Sequence, residues 1–311
     1  MGQIRSVKWV LGPLSRGLGI AIAAAGTVLV SVAVARRWDE IQDGVGSMHP
    51  GLLLLAVASA AAGMVAIALA WRAALAIFGT ELTRSATLRA YFRGEVGKYI
   101  PGSVWSVVGR AELATRAGAR RSDAYCSVLL GLAALYSGAA VVSVAAVASG
   151  VVGDPRIRIG ALLGLSLGAG LLMNGAVWNA VSNGLRHMSK GAVWLPSRSQ
   201  FLVLVALSLP VWLLIGTATW ILTRSVWPEA PFSTVLLATA ASWLGGFLAV
   251  PVPGGLGVRE WLFVALLAAA PVGAAPAAAV LARLVFMLVD GSGALLASIP
   301  SSAGAPKRLS G

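Results

Sequence analysis

The chain has 311 residues, of which 58% are apolar and only 11% are charged, and its mean hydropathy is +0.85. A soluble protein of this length carries about a quarter charged residues, so this composition excludes an ordinary soluble protein. The net charge of +13 does not indicate nucleic acid, because lysine and arginine in membrane proteins mark cytoplasmic loops and contacts with anionic lipid. The single cysteine, Cys126, excludes an internal disulfide and a multi-cysteine metal site.

Eight apolar segments are candidate membrane spans. They predict an all-α fold, a polytopic helical membrane bundle of about eight spans with interrupted or re-entrant helices, formed by a single integral membrane domain over residues 1–311. A span needs about 20 apolar residues; the seventh segment has 13 and follows a proline–glycine cluster, so it either crosses with a tilt or dips in and returns. The first is longer than a usual signal-peptide core, which favours an uncleaved helix over a cleaved signal. The segments are 17–35, 51–71, 124–149, 157–182, 201–223, 232–250, 258–270 and 277–299.

The lysines and arginines are distributed unequally between the two sides of this bundle. With the N-terminus inside, the inside segments carry 18 of them and the outside loops carry 5. The positive-inside rule then predicts that the N-terminal segment 1–16 and the flexible tail 301–311 are both cytoplasmic, in a multi-pass protein of the cell membrane.

The longest connection, residues 72–123, begins with a predicted basic amphipathic helix over residues 82–93. Its arginines Arg84, Arg89 and Arg93 alternate with apolar side chains. Such a helix lies on an anionic leaflet or is a solvated charged helix, and the pattern leaves both open.

The stretch 94–110, GEVGKYIPGSVWSVVGR, combines charges with a broken helix. Pro101 disfavours helix at the residue before it, Gly102 permits a change of direction, and Pro101 and Ser103 are suited to start a new helix. Two half-helices with an unwound joint follow, and near a membrane such a joint is tolerated only against protein or water. The stretch is therefore a candidate site, and the alternative is a cytoplasmic loop with a kinked helix.

A second broken segment, 251–261, reads PVPGGLGVREW. Two glycine- and proline-broken segments in opposite halves of a membrane protein indicate a mid-membrane site built from helix ends. Helix N-termini favour anions, and arginine matches a phosphate bidentately. The predicted substrate-binding residues are Lys98, Tyr99, Pro101, Gly102, Ser103, Arg110, Gly254, Gly255, Gly257 and Arg259, with Lys98, Arg110 and Arg259 contacting phosphate.

Four further charges support this prediction: Glu95, Glu260, Arg283 and Asp290. Arg283 and Asp290 lie in the last span, where a charge usually faces a cavity or a partner. Their spacing of seven separates them by roughly 10 Å along a helix, so each is expected to pair elsewhere, with Glu95, Glu260 or Lys98. In the alternative interpretation, these charges form a buried network that only fixes packing.

Tryptophans lie at predicted span ends and in the broken segments. Trp71, like Trp38 and Trp227, is expected in the interfacial belt. Trp105, Trp243 and Trp261 either line a cavity or anchor the chain at the interface, and anchoring is favoured.

The two motifs GKYIPGSVWSVVGR and PVPGGLGVREW, in this order, resemble the lysylphosphatidylglycerol synthase transmembrane-region family, also called flippase-like proteins, over about residues 51–299. Arg283 resembles the arginine of the family's last span. The resemblance implies a compact bundle with re-entrant pieces at its centre that moves a modified phospholipid between leaflets. The chain ends just after the last predicted span without a soluble aminoacyl-transferase domain, so we do not expect it to transfer lysine.

The sequence lacks GxSxG, HExxH, a GxxxxGK[ST] phosphate loop and an acidic metal pair, so we expect neither an enzyme nor a cofactor. The favoured function is a flippase-like transporter for a phospholipid or lipid-linked phosphate headgroup. The alternative is a non-transporting membrane subunit that holds a lipid for a partner glycosyltransferase or lipid-modifying enzyme. An integral membrane transferase is a third, less favoured hypothesis.

Overall fold

The computed structural model describes residues 48–99, 104–151, 196–248 and 257–299, together with residue 46 and isolated positions between 155 and 183. The described ranges contain helices and no strands, which confirms the all-α fold class. The predicted span 17–35 lies outside the described residues, and the predicted span 157–182 is described only at isolated positions.

The described helices form the following series. They are α1 (Pro50–Ile77), α2 (Arg84–Glu95) with a 3₁₀ turn Val96–Tyr99 after it, α3 (Trp105–Arg116), α4 (Arg121–Ala146) with a π-helical turn Val147–Val151, α5 (Arg198–Arg224), α6 (Phe232–Leu248), α7 (Val258–Leu266) and α8 (Ala274–Ser298).

Helices α1, α4 with its continuation, α5 and α8 are each long and apolar enough to cross a membrane. Helix α6 is a shorter apolar helix of 17 residues, and α7 has only nine. At 1.5 Å per residue α7 is about 14 Å long, less than half of a hydrocarbon core of about 30 Å. The described residues thus form a helical membrane bundle. The helix in the predicted seventh segment, 258–270, ends at Leu266.

Packing between α1 and α5 forms the centre of the main core. Met64 on α1 and Trp212 and Ile215 on α5 are fully buried. Gly63 allows this close approach, because a Cβ there would lie 2.9 Å from Cγ1 of Ile215. Helices that carry the charged residues, among them α8, pack against α1 and α5.

Trp71 does not lie in an interfacial belt, so that prediction is wrong. The side chain is 2% exposed, and its indole Nε1 donates a hydrogen bond of 3.1 Å to Oγ of Ser127 on α4. A buried indole requires such a partner for its N–H, and Ser127 provides it inside the bundle.

Helices α2 and α3 form a hairpin of two short helices, as the broken stretch 94–110 predicts. Gly94 and Gly109 bring the two backbones together: a Cβ on Gly94 would lie 2.6 Å from the backbone nitrogen of Arg110. Gly97 likewise lies against the backbone of Trp105. Each helix has 12 residues, or about 18 Å, so neither crosses a membrane alone. The joint itself, residues 100–103, lies outside the described residues.

Helix α2 corresponds to the predicted basic amphipathic helix and buries one of its faces in the bundle. Thr83 caps its N-terminus by accepting a hydrogen bond from the backbone N–H of Ala86. Its residues Ala90, Tyr91 and Phe92 are buried against α1, α3 and α8. One face of the helix therefore packs into the bundle, while Arg84 and Arg93 are exposed, and contact of this exposed face with an anionic leaflet stays a prediction.

Candidate functional site

A cavity of about 230 Å³ lies among α1, the α2–α3 hairpin, α4, α6, α7 and α8. Five charged side chains of the described residues line it, among aromatic and aliphatic ones. The lining residues are Ile67, Tyr91, Glu95, Lys98, Tyr99, Ser106, Val107, Arg110, Leu132, Leu135, Tyr136, Trp243, Gly246, Phe247, Arg259, Arg283, Phe286 and Met287. The structure thus brings Lys98, Arg110 and Arg259, from the two broken segments, to one cavity.

Lys98 connects the hairpin to α8. Its Nζ lies 3.2 Å from Oε1 of Glu95 and 2.6 Å from Oδ2 of Asp290. The hydroxyl of Tyr99 donates a second hydrogen bond of 2.7 Å to the same Asp290 oxygen. Asp290 is 0% exposed, so its carboxylate depends on these two contacts, and Oδ1 has no hydrogen-bond partner.

Arg110 is buried on α3 and is held mainly by its own helix. Its Nε donates a hydrogen bond of 3.3 Å to the carbonyl oxygen of Ser106. The nearest carboxylate oxygen, Oε2 of Glu95, is 3.8 Å away and accepts no hydrogen bond. The guanidinium also lies 5.4 Å from the ring centroid of Tyr91. Its pairing with Glu95 is therefore loose, and its charge is only partly neutralised.

Arg283 and Glu260 pair across α7 and α8. Nη1 of Arg283 donates to Oε1 of Glu260, while Oε2 of Glu260 accepts from the backbone N–H of Gly257 at 2.7 Å. Gly257 has φ +82, a conformation that suits glycine. The expectation that Arg283 and Asp290 pair elsewhere rather than with each other is therefore correct, and Glu260 joins the start of α7 to α8.

Arg259 differs from the other cavity cations. Its guanidinium lies 3.9 Å from the ring centroid of Trp243 and 5.7 Å from that of Phe286. Among the described residues, no carboxylate lies within ion-pair distance of Arg259 and no hydrogen bond to its side chain is formed. Trp243 thus lines the cavity instead of anchoring the chain, contrary to the favoured expectation. Trp261, at 68% exposed, lies at the surface, as an anchor would.

The described charges of this site do not balance. The four cations Lys98, Arg110, Arg259 and Arg283 face the three carboxylates of Glu95, Glu260 and Asp290. A charge within a membrane costs several kcal/mol or more unless it meets water, a partner or a ligand. One positive charge remains in excess, at the side of the cavity where Arg259 lies. The arrangement is suited to an anion.

Part of the predicted site lies outside the described residues: Pro101, Gly102, Ser103, Gly254 and Gly255. The close approach of the two proline–glycine clusters, and the anion binding by their helix N-termini, therefore stay predictions. The flanking residues Tyr99 and Arg259 are described, and both line the cavity.

Three lining residues with polar side-chain atoms were not predicted from the sequence: Tyr91, Ser106 and Tyr136. Tyr136 lies in the middle of the apolar α4, where it stacks on Phe247 with ring centroids 4.0 Å apart. A tyrosine hydroxyl within a membrane span needs a polar environment. This requirement was the one signal in the sequence that could have identified Tyr136 as a lining residue. Among the described residues, no group of three histidine, cysteine or acidic side chains is placed to hold a metal.

Comparison with known proteins gives one family match. The profile of the lysylphosphatidylglycerol synthase TM region matches residues 17–291, which is most of the chain and includes every charged residue of the site. No similar protein was found among those with curated descriptions.

Proposed function

The chain belongs to the lysylphosphatidylglycerol synthase transmembrane-region family, and from this premise we propose that it moves a phospholipid or lipid-linked phosphate between membrane leaflets. The phosphate occupies the charged cavity beside Arg259. The protein lies in the cell membrane, with both termini in the cytoplasm.

One observation carries this proposal: Arg259 is a cation inside the bundle without a carboxylate partner among the described residues. The face of Trp243 holds the guanidinium at 3.9 Å. This contact stabilises the charge but uses the π face and leaves the N–H donors at the edge of the plane free. Those donors match two oxygens of a phosphate.

The size of the cavity supports a headgroup rather than a whole lipid as its occupant. At about 230 Å³ it is smaller than the roughly 300–1,000 Å³ typical of pockets that enclose drug-sized ligands. Two of its lining side chains, Phe247 and Met287, are exposed at the surface of the bundle. A lipid can thus place its phosphate inside while its acyl chains leave between these residues into the bilayer.

The loosely paired cations give the bound phosphate additional partners. Arg110 is 3.8 Å from Glu95 without a hydrogen bond between them, so a phosphate competes with that carboxylate at small cost. Lys98 is bound more firmly, by Glu95 and Asp290 together. We propose that Arg259 and Arg110 bind the phosphate first, and that Lys98 orients the hairpin through α8.

A subunit that only holds a lipid for a partner glycosyltransferase or lipid-modifying enzyme would need the same anion site. Transport by the purified protein distinguishes the two functions. We propose no catalytic step, since each described carboxylate of the site is paired with a cation through one of its oxygens.

The test is leaflet exchange in proteoliposomes that contain the purified full chain and phosphatidylglycerol with a fluorophore on one acyl chain. A membrane-impermeant reductant bleaches only the outer leaflet, so bleaching beyond the outer-leaflet fraction measures exchange. We expect the wild type to exchange the lipid. We expect Arg259→Lys to be at least about tenfold slower, because lysine keeps the charge but loses the planar fork.

The matched control is Arg224→Lys. Arg224 also lies over an indole, 5.3 Å from the centroid of Trp220, but it is exposed and outside the cavity. This variant should exchange lipid at the wild-type rate. Equal bleaching in empty and protein-containing vesicles would reject transport and favour the lipid-holding subunit. Equal rates for the wild type and Arg259→Lys would reject Arg259 as the phosphate ligand.

A further inference from the structure

A second, separate cavity lies on the other side of the contact between α2 and α8. It is an open groove of about 700 Å³, larger than the charged cavity and almost entirely apolar. We call it the α2 groove; it is lined by Val57, Ala61 and Val65 of α1, Ser85, Leu88, Arg89 and Phe92 of α2, and Leu288, Val289, Ser292, Gly293, Leu296 and Ala297 of α8.

Phe92 of α2 and Gly293 of α8 bring the two helices into direct contact at the groove. A Cβ on Gly293 would lie 2.2 Å from a ring carbon of Phe92, so the aromatic ring packs directly on the backbone of α8. On one side of this contact Tyr91 and Glu95 face the charged cavity, and on the other Leu88 and Arg89 face the groove. Among the described residues the two cavities share no lining residue, so a ligand of the groove is distinct from the proposed substrate.

The shape of the α2 groove matches one hydrocarbon chain. Along α8 it extends from Leu288 to Ala297, or about 14 Å, and along α1 from Val57 to Val65, or about 12 Å. Half of a hydrocarbon core of about 30 Å is about 15 Å. The groove is therefore as long as one leaflet is deep, and its rims, Leu288 and Leu296, are exposed.

The charge of the groove lies at one end. Arg89 is the one charged residue among the lining residues that the structure describes. Nε of Arg93, one turn further along α2, donates a hydrogen bond of 3.5 Å to Oγ of Ser298 in the last turn of α8, so this part of α2 lies at the C-terminal end of that span. Basic side chains at a membrane surface attract anionic lipid headgroups.

From the apolar length and the basic end we infer that the α2 groove binds one anionic phospholipid, with an acyl chain in the groove and the phosphate near Arg89. This lipid is a resident of the bundle and is not transported. It joins the re-entrant hairpin to α1 and α8, the two spans that flank the groove. The inference does not depend on the function proposed for the charged cavity.

The experiment is native mass spectrometry of the full chain after incubation with phosphatidylglycerol or phosphatidylcholine of identical chains. Leu296→Trp reduces the space of the groove, and Leu295→Trp is its matched control, since Leu295 is equally exposed (74% against 69%) but does not line the groove. Arg89→Gln removes the charge at the groove, and Arg84→Gln removes one outside it on the same helix.

We expect the wild type to retain phosphatidylglycerol at least about fivefold more than phosphatidylcholine. Leu296→Trp and Arg89→Gln should each lose one bound lipid, while the controls Leu295→Trp and Arg84→Gln keep it. Equal retention of the two lipids would overturn the inference, as would equal losses in Leu296→Trp and Leu295→Trp. A dimer that the wild type forms and Leu296→Trp does not would also overturn the inference, because a second copy of the chain would then cover the groove.

Discussion

Replacing Asp290 by asparagine tests how the charges of the site are neutralised. Asp290 is 0% exposed, 2.6 Å from Nζ of Lys98, and bonded to the hydroxyl of Tyr99. At that distance and an effective dielectric constant of about 20, the attraction is roughly 6 kcal/mol, and desolvation offsets much of it. Removing one partner of a buried ion pair costs about 3–5 kcal/mol. Asparagine still accepts the hydrogen bond from Tyr99, and Lys98 keeps Glu95, so we expect a loss of about 3 kcal/mol.

The free energy of unfolding in mixed micelles, titrated with a denaturing detergent, measures this loss. The double variant Lys98→Met/Asp290→Asn should lose about 2 kcal/mol less than the sum of the two single variants, because contacting residues couple in a double-mutant cycle. Glu112→Gln is the control. It removes an ion pair of similar length, 2.7 Å between Glu112 and Arg121, in which the arginine side chain is 71% exposed. Exposed pairs contribute about 0–1 kcal/mol. If Asp290→Asn cost no more than Glu112→Gln, the buried network would not stabilise the hairpin.

Three further predictions concern the indole under Arg259, the hairpin and the topology. Trp243→Leu should weaken phosphatidylglycerol binding about twofold to thirtyfold, the equivalent of a cation–π contact of roughly 0.5–2 kcal/mol; unchanged affinity in a binding titration would remove the indole from the site. Gly94→Ala should destabilise the fold by about 1–3 kcal/mol through overpacking against Arg110, while Gly291→Ala, where a Cβ meets nothing within 4 Å, should not destabilise it; equal unfolding midpoints would contradict the close packing of the hairpin. Epitope tags at Met1 and Gly311 should both be unreachable by antibody in intact cells, and an accessible C-terminal tag would mean that the number of crossings is odd.

The sequence was sufficient to predict the membrane bundle and the principal cations of the cavity. Charged residues are so rare in an apolar chain that each must face a partner, water or a ligand. Two proline–glycine breaks indicated where helices end inside the bundle. Lys98 and Arg259 flank those breaks, and the structure brings them together at the same cavity. Their position at one cavity follows from the helix breaks in the local sequence and from the free-energy cost of an unpaired charge within the membrane.

The sequence limited the expected partners of Arg283 and Asp290 to Glu95, Glu260 or Lys98 but could not assign each pair, because the pairing depends on how distant helices pack. Glu260 is adjacent to Arg259 in sequence but pairs with Arg283, since neighbouring residues point about 100° apart around a helix. Arg259 turns instead to Trp243. The burial of Trp71 was equally unpredictable, because it depends on Ser127 lying opposite on another helix. Partners on other helices, rather than composition, thus determine the positions of the Glu260, Arg259 and Trp71 side chains.

The distance between the guanidinium of Arg259 and a lipid phosphorus shows whether a phosphate binds in the charged cavity. Solid-state NMR with ¹⁵N-labelled arginine and ³¹P of bound phosphatidylglycerol measures it through dipolar recoupling, and the difference between the wild type and Arg259→Lys isolates the signal of this residue. A bidentate contact places nitrogen and phosphorus about 4 Å apart, so the wild type should show strong dephasing that Arg259→Lys lacks. Identical dephasing in the two proteins at saturating lipid would show that no phosphate binds Arg259, and would contradict the account.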